Sequence, residues 1–233
     1  MQVELLKREA PCVSLGRMSL CRCMVSVVSE SFVTFSTIVI FILSAGLTFF
    51  ILRKYIAKKQ LNLLYWSAGL IVFTLAVLLE IVMANNIYSK FLIDSYLFLV
   101  AVLVQFLALG SFALYGNRKF LNYYYIYSIL ATIFLIVTLI IYPTGDVIDH
   151  HIVFGILPLG VVISSSFVTF PAAVFIILIA AISYKKFHSK KLLSIIAGVI
   201  IVAIAGTLYI AAIPVFLYYA EFIGILLLWI GFM

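Results

Sequence analysis

The residues from Leu61 to Met83 read LNLLYWSAGLIVFTLAVLLEIVM, an apolar segment with one charged side chain, Glu80. An α-helix rises about 1.5 Å per residue, so a segment of this length crosses the hydrocarbon core of a bilayer, which is roughly 30 Å thick. The loop before it is basic and contains Arg53, Lys54, Lys58 and Lys59. The pattern predicts a transmembrane helix that enters the membrane from a basic side.

The whole chain shares the composition of this segment. Of its 233 residues 67% are hydrophobic and 10% are charged, and the mean hydropathy is +1.32. A water-soluble domain cannot hide so much apolar surface, so the composition predicts a multi-pass membrane protein. Seven spans of about 20 residues use roughly 140 positions. The remainder suffices for short loops and an N-terminal segment, and we expect no separate catalytic, signalling or nucleic-acid-binding domain.

Seven apolar runs predict an all-α, polytopic bundle of seven transmembrane helices over residues 31–233. The predicted spans are Phe32–Leu52, Leu61–Met83, Ile93–Tyr115, Leu121–Tyr142, Ile156–Tyr184, Leu192–Ile213 and Val215–Phe232. We expect the fifth to be a tilted or kinked helix after an interfacial lead-in, because four helix-breaking residues interrupt it. These are Gly155, Pro158, Gly160 and Pro171.

Basic residues predict the orientation of the bundle. Short cytoplasmic loops are enriched in lysine and arginine, and the loops after spans one, three and five hold Arg53, Lys54, Lys58, Lys59, Arg118, Lys119, Lys185, Lys186, Lys190 and Lys191. The other loops hold only Lys90. The N-terminus is therefore expected outside and the C-terminus in the cytoplasm of a cell-membrane protein. Its partner is the lipid bilayer, with a second membrane protein on the basic face as the alternative.

Aromatic residues near the same face predict a belt at the inner headgroups. The belt comprises Tyr65, Trp66, Tyr123, Tyr124, Tyr125 and Trp229.

The first thirty residues depart from this pattern, because they are basic on the outer side. They also contain every cysteine of the chain, Cys12, Cys21 and Cys23. We expect a polar, flexible extension that lacks the sustained apolar run of a signal peptide. The alternative is that translation starts at Met18 or Met24, which would leave a short external terminus.

The spans exclude several kinds of chemistry. All ten lysines lie in loops or in the N-terminal segment, so the deep Schiff-base lysine of a retinal protein is missing. Bis-histidine haem requires two histidines facing each other, whereas His150 and His151 are adjacent on the outer side and His188 is cytoplasmic. The same histidines cannot form a zinc hydrolase site. The serine run from Ser164 to Ser166 has no histidine or lysine at its depth and predicts helix-to-helix hydrogen bonds. We expect no cofactor.

Charged residues inside membrane spans are costly and mark functional sites by default. Glu80 lies about one turn from the outer end of span two, and Glu221 lies about two turns into span seven. If spans two, three and seven adjoin, these two and Asp94 at the start of span three would line an outward-facing acidic pocket that binds a cation or a proton. The alternatives are that Glu80 reaches the interface and is hydrated, and that Glu221 makes a buried structural hydrogen bond. Gln105, midway along span three, is a further candidate, although such residues more often join helices.

A second, weaker candidate is the outer loop after span four, which we expect to be a solvated turn. It offers oxygen and imidazole ligands for a divalent transition metal, from Asp146, Asp149, His150 and His151.

Small residues in the last two spans predict close helix packing. They recur every seven residues in span six, at Gly198, Ala205 and Ala212, and line one side of span seven, at Ala220, Gly224 and Gly231. A very short connection with Pro214 predicts that the two helices form a tight antiparallel hairpin.

Several short motifs resemble a family of prokaryotic seven-helix integral membrane proteins. They are the run from Leu64 to Leu70 with Glu80 after a basic loop, Leu109-Gly110-Ser111, Ala197-Gly198 to Ala205-Gly206-Thr207, and Ala220 to Gly224 with Gly231-Phe232. The resemblance implies the fold and no activity. Spans one to three also resemble the seven-helix input region of some sensor histidine kinases, but this sequence has no kinase domain after it.

Together these patterns predict a non-enzymatic sensor, or an accessory subunit of a membrane complex. The alternative is a small transporter or channel subunit for a cation or proton, with span five as a broken helix that exposes its backbone.

Overall fold

A computed structural model describes residues 30–85, 87, 89–142, 148–149, 152–153, 158–187, 193–195, 197–198, 200–201 and 215–232. Six helices and two short strands have defined bounds within these ranges. They are α1 (Glu30–Lys58), α2 (Leu61–Ala84), α3 (Lys90–Tyr115), α4 (Arg118–Ile141), β1 (Ile148–Asp149), β2 (Ile152–Val153), α5 (Leu159–Phe187) and α6 (Val215–Phe232). The described residues from 193 to 201 are also helical.

Five helices are long and apolar enough to cross a membrane, which makes the chain a multi-pass membrane protein. The spanning segments are Thr34–Lys58, Leu61–Met83, Lys90–Tyr115, Arg118–Ile141 and Leu159–Lys185. They coincide with the first five predicted spans. Tyr219–Phe232 of α6 is a shorter apolar helix. Residues 1–29, with the predicted extension and its three cysteines, lie outside the described part of the chain.

The basic residues predicted for cytoplasmic loops lie largely in the helices themselves. Arg53, Lys54 and Lys58 belong to the last turns of α1, and Lys119 and Lys185 belong to α4 and α5. Long basic side chains keep an apolar stem against the helix while the charge reaches the headgroups. The helices therefore extend beyond the apolar segments that marked them in the sequence.

The described part of the chain is all-helical apart from one short hairpin in the loop after α4. Ile148 pairs with Val153 and Asp149 pairs with Ile152 in antiparallel register, where a solvated turn was predicted. Three of these four residues are β-branched, which favours extended backbone. Strand β2 lies against α2, so this hairpin and α2 share one end of the bundle.

Short connections bring successive helices together as antiparallel neighbours. Ser89 caps α3 by accepting a hydrogen bond from the Leu92 amide at 3.2 Å. Asn117 caps α4 in the same way, with its side-chain oxygen 3.1 Å from the Lys119 amide. Gly116 ends α3 at a φ of 83°, a left-handed conformation that suits glycine. These caps end one helix and begin the next within a few residues.

Helix α6 closes the bundle against α1 and α2. Leu47 and Ile51 of α1, Leu63 and Leu70 of α2, and Ile225 of α6 form one buried cluster. At the ends of α1 and α6, the Lys54 ammonium donates to the Phe232 carbonyl at 2.7 Å. A cation at a helix C-terminus is favourable because the carbonyl end carries partial negative charge. Since the C-terminal ends of both helices meet, α1 and α6 run parallel.

The residues of predicted span six that are described pack antiparallel to α6. The Ser194 hydroxyl donates to the Leu227 carbonyl at 2.7 Å. A Cβ atom added to Gly198 would lie 3.3 Å from the Gly224 carbonyl oxygen. Ala220 and Gly224 are buried, whereas Gly231 is half-buried. The predicted close approach thus occurs at Gly198 and Gly224, while Ala205 and Ala212 lie outside the described residues.

The prediction that Tyr124 belongs to the inner aromatic belt was wrong. Its ring lies 4.8 Å from that of Phe112 and 5.5 Å from that of Phe175, and the side chain is buried between α3, α4 and α5. Tyr123 and Tyr125, its neighbours along the helix, are exposed. Successive positions on a helix project from different faces, so a run of three tyrosines cannot all reach the headgroups.

Helix α5 continues through Pro171 without a break, and the predicted tilt or kink of span five stays a prediction. Proline has no amide hydrogen, so the carbonyl four residues earlier, that of Phe167, loses its helical donor. The Tyr127 hydroxyl of α4 donates to this carbonyl at 2.5 Å. A neighbouring helix thereby satisfies the backbone group that proline leaves open, as the hydrocarbon environment requires.

Replacing Tyr127 by phenylalanine is expected to lower the free energy of unfolding by about 0.6–1.5 kcal/mol. Unfolding of the full chain by dodecyl sulfate in mixed micelles measures this change. The same substitution in a Pro171→Ala background should cost less, because residue 171 then has its own amide donor. Tyr125→Phe, on an exposed position of the same helix, is the matched control. If Tyr127→Phe lowers the free energy of unfolding equally in both backgrounds, the Tyr127 hydroxyl does not compensate for the missing amide of Pro171.

Candidate functional site

Two buried glutamates come together from distant parts of the chain. Glu80 of α2 is 8% exposed and Glu221 of α6 is 7% exposed. The helices that hold them meet where the Trp66 and Phe232 rings lie 4.9 Å apart. Glu80 follows Trp66 by fourteen positions and Glu221 precedes Phe232 by eleven, so in antiparallel helices they lie about 21 and about 17 Å from this contact and within about one turn of the same depth. The sequence analysis assigned both glutamates to one outward-facing pocket, and the structure buries both at this depth.

Tyr96 of α3 is the third member of the cluster. Its hydroxyl donates to Glu80 Oε1 at 2.5 Å, and its side chain is 6% exposed. The ring packs in a buried cluster with Ala76, Met83 and Ile93. One oxygen of Glu80 thus has a short hydrogen bond inside an otherwise apolar layer.

The α2–α3 hairpin explains why Glu80 and Tyr96 meet. Glu80 lies one turn before the end of α2, and Tyr96 lies in the second turn of α3. A short connection between antiparallel helices places residues at similar distances from the turn at similar depth. Sequence reasoning missed Tyr96, because a tyrosine near a span end is ordinary. The signal available in the sequence was that Tyr96 and Glu80 lie at similar distances from the connection between α2 and α3.

The second oxygen of each glutamate is unpaired. Glu80 Oε2 and Glu221 Oε2 are both buried, and neither has a hydrogen-bond partner among the described residues. Buried polar atoms are almost always paired, and an unpaired carboxyl oxygen in hydrocarbon is especially costly. Two such atoms in one cluster form a site that can accept a proton or a cation.

The structure places the other two predicted site residues differently. Asp94 is half-buried in the first turns of α3. It precedes Tyr96 by two positions, and residues two apart project from different faces of a helix. Gln105 follows Tyr96 by nine positions on α3, about 13 Å further along the helix axis. Gln105 is therefore not part of the Glu80–Glu221 cluster, and Asp94 stays a predicted member.

Gln105 instead joins α3 to α4. Its side-chain nitrogen donates to the Ser128 carbonyl at 3.3 Å, and its side-chain oxygen accepts from the Thr132 hydroxyl at 2.8 Å. It lines a groove of about 310 Å³ between these helices together with Ser128, Thr132 and mainly apolar side chains. The bonds match the helix-joining role that the sequence favoured for this residue.

Hydroxyl groups elsewhere in the bundle form similar links between helices. Ser164 of α5 and Thr138 of α4 lie 2.6 Å apart, and Thr48 of α1 and Thr74 of α2 lie 3.1 Å apart. The first pair includes a member of the serine run that sequence analysis assigned to such contacts.

The loop proposed to bind a divalent metal is only partly described. Asp146, His150 and His151 lie outside the described residues, and Asp149 is described only as part of β1. The described part of the chain contains no group of three histidine, cysteine or carboxylate residues that could hold a metal ion. A metal site in this loop stays a prediction.

Comparison of the chain with models of protein families, with curated proteins and with solved structures finds no match. The resemblance to a prokaryotic seven-helix family therefore stays a prediction, and function has to be argued from the cluster itself.

Tyr96→Phe is expected to lower the free energy of unfolding by about 1–3 kcal/mol, because it leaves a further buried carboxyl oxygen without a donor. Unfolding in mixed micelles measures the loss. Tyr123→Phe, which alters an exposed tyrosine, should change little. In a Glu80→Leu background the acceptor is gone, so Tyr96→Phe should cost less. Equal costs with and without Glu80 would contradict the hydrogen bond.

Proposed function

We propose that this chain is a non-enzymatic, seven-span protein of the plasma membrane that binds a proton or a cation at the Glu80–Glu221 cluster. Ligand binding at this site would set the packing of α6 against α2, and the protein would act as a sensor or as an accessory subunit of a membrane complex. The proposal rests on one observation, the two buried carboxyl groups at one depth with an unpaired oxygen each.

The cluster favours ligand binding over a purely structural role. A structural carboxyl group buried in a bundle normally has all its oxygens paired with donors. Here Tyr96 supplies one donor to Glu80, whereas Glu80 Oε2 and Glu221 Oε2 have no hydrogen-bond partner among the described residues. A bound proton or cation would supply the partner that these two carboxyl oxygens lack. It would therefore stabilise the closed bundle.

The order of helices supports seven spans. Helices α1 and α6 run parallel, since Lys54 at the end of α1 binds the end of α6. Five alternating spans leave α5 parallel to α1, so one more crossing is needed before α6. The helical residues from 193 to 201, antiparallel to α6, are suited to that crossing.

Basic helix ends support a cytoplasmic C-terminus. Arg53, Lys54 and Lys58 end α1, and Arg118 and Lys119 begin α4 at the same side of the bundle. We expect a reporter fused after Met233 to be active only in its cytoplasmic form, and a tag before α1 to be accessible from outside the cell. The reverse pattern would overturn the outward-facing cluster.

The ligand-binding proposal predicts that stability depends on ligand concentration. A ligand that binds only the folded state stabilises it by mass action. We therefore expect the melting temperature of the purified full chain to rise either as the pH is lowered or as one cation is added at fixed pH. The Glu80→Gln, Glu221→Gln double variant should lose this dependence.

Asp146→Asn is the matched control for that experiment, because it removes a carboxylate from the outer loop and leaves the cluster intact. Dependence that persists in the double variant but disappears in Asp146→Asn would assign the ligand to the loop. Stability that depends on neither protons nor any cation in the wild type would overturn the proposal.

A transporter or channel subunit for the same ligand is the second candidate. The paired carboxyl groups inside the membrane favour it, because proton and cation pathways use such groups. The unbroken course of α5 through Pro171 removes the argument from a broken helix. Flux of protons and a panel of cations in liposomes separates the two candidates, since a sensor or accessory subunit is expected to show none.

A further inference from the structure

We infer that the ligand of the Glu80–Glu221 cluster is a single proton held by the pair, and not a metal cation. This inference rests on the proposed function and names the chemical class of its ligand.

The number of available oxygen atoms argues against a metal cation. Calcium takes six to eight oxygen ligands and magnesium takes six in near-ideal octahedral geometry. The buried, unpaired oxygens of the cluster are two, Glu80 Oε2 and Glu221 Oε2. Glu80 Oε1 already accepts the Tyr96 hydroxyl. The described residues contain no group of three metal-ligating side chains that could complete a shell.

The side chains around the cluster also argue against a metal cation. Tyr96 packs with Ala76, Met83 and Ile93, whose side chains offer no oxygen ligand. The buried polar residues of α1, Thr37 and Ser44, direct their hydroxyls to carbonyls of their own helix. A cation entering this layer would lose its hydration shell and gain few ligands in return.

A proton needs only one of the unpaired oxygens. With a proton on either carboxyl group, the pair carries one negative charge in place of two, and the repulsion between neighbouring carboxylates is removed. The protonated group becomes a donor and the ionised group an acceptor, so a hydrogen bond between Glu80 and Glu221 would pair the two oxygens that have no partner among the described residues. The proton then belongs to the pair and not to either residue.

The titratable groups around the pair are consistent with one proton. From α3 the facing groups are the Tyr96 phenol, which donates its hydrogen to Glu80 Oε1, and Asp94, the half-buried carboxylate two positions earlier that stays a predicted member of the cluster. From α2 and α6 the facing groups are the two glutamates themselves. The buried polar side chains described on α1 are hydroxyls, which do not titrate near neutral pH. One proton on the Glu80–Glu221 pair accordingly lowers its charge from two negative charges to one.

Modification by dicyclohexylcarbodiimide tests the inference on the full chain in detergent. The carboxyl proton passes to one nitrogen of the reagent while the carboxylate oxygen bonds to its central carbon. The acyl group then moves from oxygen to nitrogen, which gives a stable N-acylurea with no leaving group. An ionised carboxylate does not begin this sequence, so the reagent reports a protonated group in an apolar layer.

We expect one adduct per chain, located by peptide mass spectrometry at Glu80 or Glu221. Labelling should fall as the pH is raised and should be unaffected by sodium, potassium, magnesium or calcium at fixed pH. It should be lost in the Glu80→Gln, Glu221→Gln variant. Asp146→Asn should label like the wild type. Elution of each variant as a monodisperse species in size-exclusion chromatography establishes that it is folded.

Three outcomes would overturn the inference. Protection from labelling by one of the cations would assign the cluster to that cation and leave the proposed function standing. Two adducts on one chain would show that each carboxyl group holds its own proton. Absence of any adduct at every pH, in a chain whose stability still depends on a cation, would show that the ligand is not a proton. If stability also depends on no ligand, the proposed function fails with it.

Discussion

Two carboxyl side chains lie buried in the interior of an apolar bundle, each with one oxygen that has no hydrogen-bond partner among the described residues. Glu80 and Glu221 come from helices separated by most of the chain, and Tyr96 is the one hydrogen-bond donor that the described residues provide to them. Ionised groups buried without an opposite charge destabilise a fold strongly. Under the proposed function, the packing of α6 against α2 depends on the protonation or ligation of these two carboxyl groups.

The rest of the bundle is built so that this contact can form. Lys54 binds the end of α6, and Trp229 of α6 donates from its indole to the Leu43 carbonyl of α1 at 3.0 Å. Gly46 leaves room for that indole, because an added Cβ would lie 3.3 Å from it. These contacts hold α6 independently of the glutamates. A change of charge at the cluster thus acts on a helix that stays attached at its other end.

Hydrophobicity made the spanning helices predictable, and the cost of charge in hydrocarbon made Glu80 and Glu221 conspicuous. Neither principle says which helices touch, so the sequence could assign the two glutamates to one outer pocket only on the assumption that their helices adjoin, and it could not exclude Gln105. Tyr96 and Tyr127 were missed for a related reason. Each residue matters through one hydrogen bond to a group on another helix, and such a tertiary contact produces no periodic pattern in the sequence. Apolar runs also predicted the first five spans well but not their basic ends, which remain helical into the headgroup region.

The linkage of the first and last helices has a consequence for biogenesis. Glu80 obtains its tyrosine partner as soon as the α2–α3 hairpin has formed, because both residues lie in consecutive helices. Its second neighbour arrives only when α6 has been synthesised. Until then the side chains of α1 and α2 that form a buried cluster with Ile225 of α6, among them Leu47 and Leu70, lack that part of their cover. Assembly is consequently completed only after α6 has been synthesised, and a chain truncated before α6 would leave these side chains less covered.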